Sequence, residues 1–164
     1  MELLTSILPS PRRKRLARLK ATPWENLTER QRLSLLLPDV QAFALRVLRE
    51  MTLLGHEVRL GETYRSPGKQ KEAFERGASS YVEPAWHTLG NAFHIIVIDR
   101  KTGKLDRSAY TTLGQIVRES GGIWKGDIPL KNQYGQTYYD LAHVEYHPGQ
   151  RLAEARRGAA LASL

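Results

Sequence analysis

Apolar side chains recur at intervals of three and four residues in one stretch of the chain. They are Val40, Phe43, Ala44, Val47, Leu48 and Met51. This spacing places them on one face of a helix, as is typical of a helix that packs against a core. Asp39 is a suitable N-cap, and Gly55 supplies a C-terminal stop. The pattern therefore predicts one long helix, with a buried face, between these two residues.

Three other stretches have the pattern of β-strands. Val58 and Leu60 alternate with charged neighbours in 57–64, which predicts a strand with one buried face. Residues 93–99 (FHIIVID) are nearly all apolar and rich in β-branched side chains, which favours a central strand. A last strand is predicted over 141–146.

Two further helices complete the predicted elements, one over 67–76 and one over 106–119. The first follows the turn sequence Ser-Pro-Gly, and the second ends at a pair of glycines. A long polar loop is expected after those glycines. Strands grouped with helices in this way predict an α+β fold with a small, mostly antiparallel sheet that is packed by helices.

The composition divides the chain into three parts. Residues 1–37 form a basic N-terminal extension of short helical pieces, and the prolines that interrupt it are Pro9, Pro11 and Pro23. Thr28, with Gln31 three residues later, has the form of a capping box at the start of one such piece. Residues 38–149 form one compact domain, and 150–164 are expected to be a helical C-terminal tail.

Charge and cysteine content limit the chemistry. The chain has no cysteine, so a bound metal would need His, Asp or Glu ligands. Its 25 Lys and Arg against 17 Asp and Glu give a formal net charge of +8, which favours association with polyanions. A basic run lies near the N-terminus and comprises Arg12, Arg13, Lys14, Arg15, Arg18 and Lys20. The charge alone does not distinguish nucleic acid, acidic lipid and an anionic cell wall from a solvated surface.

The sequence predicts neither a membrane span nor an export signal. No stretch approaches the roughly 18 apolar residues that would cross a bilayer. The opening residues 1–8 are apolar, but positive charges follow them instead of preceding them, which is the wrong order for a secretory signal. We therefore expect the chain to be made in the cytoplasm without an export signal of its own.

Four of the five histidines lie in two groups. His87 and His94 are seven residues apart, so a continuous strand would point them to opposite faces. Gly90 lies between them and permits a sharp turn that would bring His87 back toward His94. Each of these histidines alone is also compatible with ordinary core packing.

The second group contains His143 and His147 with Glu145 between them, and these three would share one face of a strand. Asp140 lies at the entrance of that strand. A carboxylate beside a metal site can act as a general base and later as a general acid. Three protein ligands with one open position are typical of a catalytic zinc site. The two groups together therefore indicate metal binding.

These residues belong to a longer series of motifs in which the order and the spacing are also informative. The series consists of 61–66 (GETYRS), then Gln70 and Gly77, then 87–94 (HTLGNAFH), 121–124 (GGIW) and 140–145 (DLAHVE). Over about residues 39–148 it resembles the LAS-type zinc peptidases, named after lysostaphin, D-Ala-D-Ala peptidases and hedgehog proteins. It is most similar to the branch of phage L-alanyl-D-glutamate endopeptidases and D-Ala-D-Ala carboxypeptidases. The resemblance implies a zinc peptidase domain over 38–149 with a hedgehog/D-Ala-D-Ala-peptidase-like fold.

The resemblance also implies roles for single residues. His87 matches the first zinc ligand and His143 the last. Asp140 matches the catalytic carboxylate, which activates the attacking water and then protonates the leaving amine. Arg65 matches the arginine that holds a substrate carboxylate or the scissile carbonyl, a task that suits the planar fork of a guanidinium group.

The sequence departs from the family pattern at two positions. The family has Asp where this chain has His94, and Ser where it has Ala85. Because three-histidine zinc sites are chemically sound, we expect His94 to be the remaining metal ligand. A neutral imidazole in place of a carboxylate would leave the zinc more positive by one charge.

Other residues near the motifs have candidate supporting roles. Glu145 is expected to hydrogen-bond a ligand imidazole and to fix its orientation. The aromatic candidates for the substrate groove, which could also serve in packing, are Trp86, Trp124, Tyr138 and Tyr139.

The expected function is hydrolysis of an amide bond in the peptidoglycan stem peptide, with Zn²⁺ as the cofactor and L-Ala-D-Glu as the preferred bond. A D-Ala-D-Ala carboxypeptidase is the alternative activity, and a non-catalytic zinc-containing wall-binding protein is the alternative of another class. The basic N-terminus would hold the chain on an anionic cell envelope. No motif predicts specific binding of nucleic acid. We expect a monomeric phage endolysin that acts on the cell wall after its release from the host cytoplasm.

Overall fold

The computed structural model of the protein describes residues 10–81, 85–152, 154–155 and 157–158. The described helices are α1 (Pro11–Ala21), α2 (Glu29–Leu33), α3 (Pro38–Leu53), α4 (Pro67–Glu75), α5 (Trp86–Leu89) and α6 (Tyr110–Glu119). The described strands are β1 (Glu57–Leu60), β2 (Ala92–Ile98), β3 (Ile123–Trp124), β4 (Leu130–Lys131), β5 (Thr137–Tyr138) and β6 (His143–Glu145). Short 3₁₀ helices cover Trp24–Asn26 and Lys125–Asp127. Among the described helices, none has both the length and the apolar character needed to cross a membrane.

The main sheet has four strands in the order β1-β2-β6-β3, and all of its pairings are antiparallel. Strands β4 and β5 form a separate hairpin. The long apolar strand β2 lies inside the main sheet, as its composition predicts. The register of β2 and β6 pairs His94 directly with His143, so the sheet itself brings the two histidine groups of the sequence together.

The core lies between this sheet and helices α3 and α6. Its apolar members include Val40, Phe43, Val47 and Met51 from α3 and Leu113, Ile116 and Val117 from α6. They pack against Phe93, Ile95 and Val97 of β2 and Val144 of β6. Because alternate residues of a strand point to opposite faces, burial of Phe93 and Ile95 turns His94 to the other side of the sheet. The α+β architecture with a small antiparallel sheet is confirmed.

Residues before α3 also pack against the domain. Thr28 and Gln31 form the predicted capping box at the start of α2. The Glu29 carboxylate accepts a hydrogen bond from the backbone N–H of Leu60 in β1 at 2.8 Å. The Thr63 hydroxyl donates to the carbonyl of Arg32 at 2.7 Å. These contacts attach the segment around α2 to the edge of the sheet and to the loop that carries Arg65.

Among the element boundaries that differ from the prediction, those of α3, α6 and β1 differ most clearly. Helix α3 begins at Pro38, which takes the first helical position, so the prediction of Asp39 as the N-cap is wrong. Helix α6 begins at Tyr110, because the Asp106 carboxylate accepts backbone hydrogen bonds from Ser108 and Ala109 and holds a turn there. Strand β1 ends at Leu60, and the residues up to 66 are an extended loop.

The predicted polar loop over 123–140 contains regular structure. It includes β3 and the β4–β5 hairpin, whose strands of two residues are too short to produce a hydrophobic period. The Gln133 side-chain amide and the Tyr134 hydroxyl both donate to the carbonyl of Glu75, at 2.5 and 2.6 Å. The hairpin thus caps the C-terminal end of α4. The predicted helical tail after residue 150 lies largely outside the described residues.

Candidate metal centre

The turn after α5 brings the first histidine of the site to the sheet. Gly90 ends α5 in the left-handed region with φ of 77°, a conformation that favours glycine. A Cβ atom at this position would also lie 3.1 Å from the carbonyl oxygen of Leu35. The chain therefore reverses between His87 and β2, and His87 Nε2 lies 3.3 Å from His94 Nε2. The sequence predicts this reversal at Gly90, which brings His87 close to His94.

The three histidines have the geometry of a metal site. His87, His94 and His143 each offer one ring nitrogen, and these atoms all lie within 4.8 Å of one another. Two nitrogens bound to one tetrahedral zinc ion at roughly 2.0–2.1 Å would lie about 3.3–3.4 Å apart. The separation of 3.3 Å between His87 Nε2 and His94 Nε2 matches this value. The donor set, three imidazoles without a thiolate, suits zinc.

Hydrogen bonds on the outer side of two rings select the tautomers. His87 Nδ1 lies 3.0 Å from the carbonyl oxygen of Thr63, to which it donates a proton, so its Nε2 presents a lone pair to the cluster. His143 Nε2 lies 3.0 Å from a carboxylate oxygen of Glu145, which leaves Nδ1 of the same ring for a metal. Such outer partners orient ligand rings and increase their basicity. The interaction expected of Glu145 is therefore present.

Burial keeps two of the imidazoles neutral. Desolvation lowers the pKa of His87 well below its usual value, and the neighbouring His94 and His143 lower it further. Desolvation also lowers the pKa of His94 to about 4, although the Asp140 carboxylate opposes this shift. Only a neutral imidazole can donate a lone pair to a metal. Both rings are therefore in their ligating form at neutral pH without deprotonation by the metal.

Glu145 is the centre of a buried polar network behind the cluster. Its two carboxylate oxygens contact His143 Nε2 at 3.0 Å and His147 Nε2 at 2.9 Å, and Lys125 Nζ lies 3.2 Å from it. Burial alone would raise the pKa of Glu145, but these histidine hydrogen bonds and the Lys125 charge hold it well below its usual range. His147 also stacks on Trp86, with ring centroids 3.7 Å apart. Through His147, the network connects Glu145 in β6 with Trp86, the residue that precedes His87.

Asp140 lies beside the three histidines. One of its carboxylate oxygens, Oδ2, is 3.7 Å from His94 Nε2 and 3.9 Å from His143 Nδ1. Its side chain is 28% exposed, so the carboxylate borders the cluster and is still accessible from the cavity. A carboxylate in this position can exchange protons with a water or a substrate at the open side of the site.

The histidine cluster opens into a cavity of about 480 Å³. Its lining includes the predicted site residues His87, His94, His143, Asp140, Arg65, Trp86 and Glu145. Tyr139, which the sequence places in the substrate groove, is 55% exposed and is not among the lining residues. Tyr138, the neighbouring candidate, does line the cavity, because consecutive residues of an extended chain point to opposite sides. The structure therefore does not support the assignment of Tyr139.

Several cavity residues have no signal in the sequence. Lys125 follows β3, and Trp24 belongs to the N-terminal extension, yet both line the cavity. Glu62 lies three residues before Arg65 and pairs with its guanidinium group. The sequence hints at this ion pair only through the i, i+3 spacing of the two residues within the 61–66 motif. Oppositely charged residues at this spacing are also common on protein surfaces.

Comparison with known proteins finds similar folds among solved structures. No protein-family model and no curated protein matches the chain. Among solved structures, the Serratia marcescens L-Ala D-Glu endopeptidase ChiX is similar with a TM-score of 0.53 and 20% identity, over 73% of this chain and 86% of that one.

The D,D-pentapeptidase VanY of a VanB-type vancomycin-resistance cassette, in complex with Zn(II), is similar with a TM-score of 0.51 and 15% identity. The match covers 74% of this chain and 76% of that one. VanYB in complex with D-alanine-D-alanine matches with a TM-score of 0.51 and 15% identity, over 77% of this chain and 78% of that one. At these identities the likeness concerns the fold. The chain therefore shares the fold of this endopeptidase and of VanY.

Proposed function

We propose that the protein is a zinc-dependent peptidase that hydrolyses an amide bond in the stem peptide of peptidoglycan, with the L-Ala-D-Glu bond as its preferred target. One observation carries the proposal. The ring nitrogens of three histidines lie within 4.8 Å of one another in a cavity, and the Asp140 carboxylate is 3.7 Å from one of them. This arrangement suits a metal-ligand set with a proton-transferring group at its open side, and it supports the proposal.

The structural relatives support the substrate class. ChiX is an L-Ala D-Glu endopeptidase, and its structure is matched over 86% of its length. The VanY structures contain Zn(II) in one case and D-alanine-D-alanine in the other. One relative is named for the L-Ala D-Glu bond and the other is bound to D-alanine-D-alanine, so we infer that this chain acts on a bond of the same kind in the stem peptide. The VanY complexes favour D-Ala-D-Ala carboxypeptidase activity as the second candidate.

Different residues of the cavity have different roles in the proposed hydrolysis. His87, His94 and His143 hold the metal, and zinc supplies, when bound, a Lewis acid for the scissile carbonyl and for water. Asp140 accepts a proton from the attacking water as the water oxygen bonds to the carbonyl carbon. It then transfers this proton to the leaving nitrogen as the C–N bond breaks. Hydrogen bonds from Arg65 position the peptide next to these groups.

Digestion of purified peptidoglycan tests the proposal. The zinc-loaded full chain is incubated with peptidoglycan, and mass spectrometry identifies the termini that are released. We expect new D-Glu amino termini from the zinc-loaded chain and none from the same chain after metal removal. Release of free D-Ala would instead identify the carboxypeptidase. The absence of any new terminus would identify the protein as a non-catalytic wall-binding protein and contradict the proposal.

A further inference from the structure

The guanidinium group of Arg65 is held by an internal carboxylate within the cavity. Arg65 Nε donates to Glu62 Oε1 at 2.9 Å, and Nη2 donates to Glu62 Oε2, which completes a two-bond fork. The two side chains are only 12% and 14% exposed. A paired, largely desolvated fork of this kind is much stronger than a surface ion pair. Glu62 and Arg65 therefore act as one unit.

A second contact fixes the other side of the guanidinium group. Arg65 Nη1 donates to Gln70 Oε1 at 3.0 Å. Gln70 is 1% exposed, and its amide nitrogen donates to the Ser79 hydroxyl at 2.8 Å and to the Tyr81 carbonyl at 2.5 Å. Arg65 has five N–H groups, and these contacts use three of them. Within the described part of the chain, one N–H on Nη1 and one on Nη2 remain for a ligand in the cavity.

The charge of this unit decides which ligand it suits. The carboxylate of Glu62 cancels the charge of Arg65, and both residues line the cavity together with His94 and Asp140. A free carboxylate bound to the remaining N–H groups would lie close to the like charge of Glu62. A peptide carbonyl or a carboxamide would accept the same hydrogen bonds without that repulsion.

We propose that Glu62 is a specificity-determining residue that makes Arg65 select a neutral carbonyl or carboxamide over a free carboxylate. The inference rests on the proposed function and narrows its substrate class. Beside an L-Ala-D-Glu bond, the D-Glu residue carries a carboxyl group that is either free or amidated. The amidated stem peptide is the better substrate on this account. A terminal dipeptide with a free carboxylate, the substrate of a carboxypeptidase, is the poorer one.

Two synthetic stem peptides that differ only in this carboxyl group test the proposal. We expect the full-length, zinc-loaded protein to cleave the amide with a kcat/KM about tenfold above that for the free acid. Glu62→Gln retains an oxygen acceptor for Arg65 but removes the charge, so the ratio should shift by about tenfold toward the acid. Glu62→Asp retains the charge and should keep the preference for the amide.

Glu72→Gln is the matched control. Glu72 pairs with Lys69 at 2.8 Å, and both side chains are more than half exposed, so water screens the same change of charge there. An unchanged ratio of amide to acid in Glu62→Gln would overturn the inference. If the wild-type chain cleaves neither peptide, the proposed function fails, and calorimetric binding of the two peptides then tests Glu62 separately. If the wild-type chain binds the amide more tightly than the acid and Glu62→Gln loses this preference, the inference is supported. If the ratio of the two affinities is the same in both proteins, the inference is overturned.

Discussion

Asp140→Asn is expected to lower kcat/KM for the stem peptide by about 10²–10⁴-fold, the usual contribution of a general acid–base group. A carboxamide has nearly the shape of the carboxylate but cannot accept the proton of the attacking water. The Asp140 carboxylate lies 3.7 and 3.9 Å from ring nitrogens of His94 and His143, beside the ligand set and not within it. Zinc affinity should therefore change little, and steady-state kinetics with a zinc-binding assay measure both effects.

The control for this variant is Asp127→Asn. Asp127 forms an ion pair with Arg118 at 2.6 Å on the surface, and both side chains are more than 40% exposed. Its replacement should leave kcat/KM within about twofold of the wild type, as surface pairs contribute little. An Asp140→Asn protein that binds zinc and retains most of the wild-type kcat/KM would show that another group transfers the proton.

His94→Ala is expected to lower zinc affinity by more than about 100-fold. Loss of an outer hydrogen-bond partner of a metal ligand already costs about 10–100-fold, so loss of a ligand should cost more. His94 Nε2 lies 3.3 Å from His87 Nε2, and its pKa is lowered to about 4, which makes it a neutral donor at working pH. Competition with a chromophoric chelator measures the affinity. Peptide cleavage should decline in parallel.

Two further variants identify the cause of such a loss. His94→Asp restores a carboxylate ligand at this position and is expected to retain zinc. His56→Ala removes a histidine that lies outside the three-histidine cluster and should leave zinc affinity unchanged. If His94→Ala bound zinc as tightly as the wild type, the site would be held by other groups and the three-histidine assignment would be wrong.

The sequence predicts the centre of the fold well because local pattern and tertiary role agree there. The run over 93–99 has enough apolar residues to require burial, and the structure places β2 inside the sheet. Gly90 predicts the reversal of the chain that returns His87 to His94, because its conformation favours glycine. The three-histidine cluster follows from these two features and from the register of β2 with β6.

The rest of the site depends on contacts between residues that are distant in sequence or that have common local spacing. Trp24 lines the cavity because the segment around α2 packs on the sheet and Arg32 donates a hydrogen bond to the Trp24 carbonyl, and nothing in its local sequence predicts this. The hairpin of β4 and β5 is held by hydrogen bonds to the end of α4 and has no hydrophobic period. Tyr138, and not Tyr139, faces the cavity, because the side on which an extended residue lies depends on the exact bounds of a two-residue strand.

Titration of the metal-stripped full chain with zinc, while peptidoglycan cleavage is followed, tests the central claim most directly. The account predicts no cleavage without metal. Cleavage should then increase in proportion to added zinc and reach its maximum at one ion per chain, since the three histidines form one site. Undiminished cleavage by the metal-free chain, or no cleavage by the fully loaded chain, would contradict it.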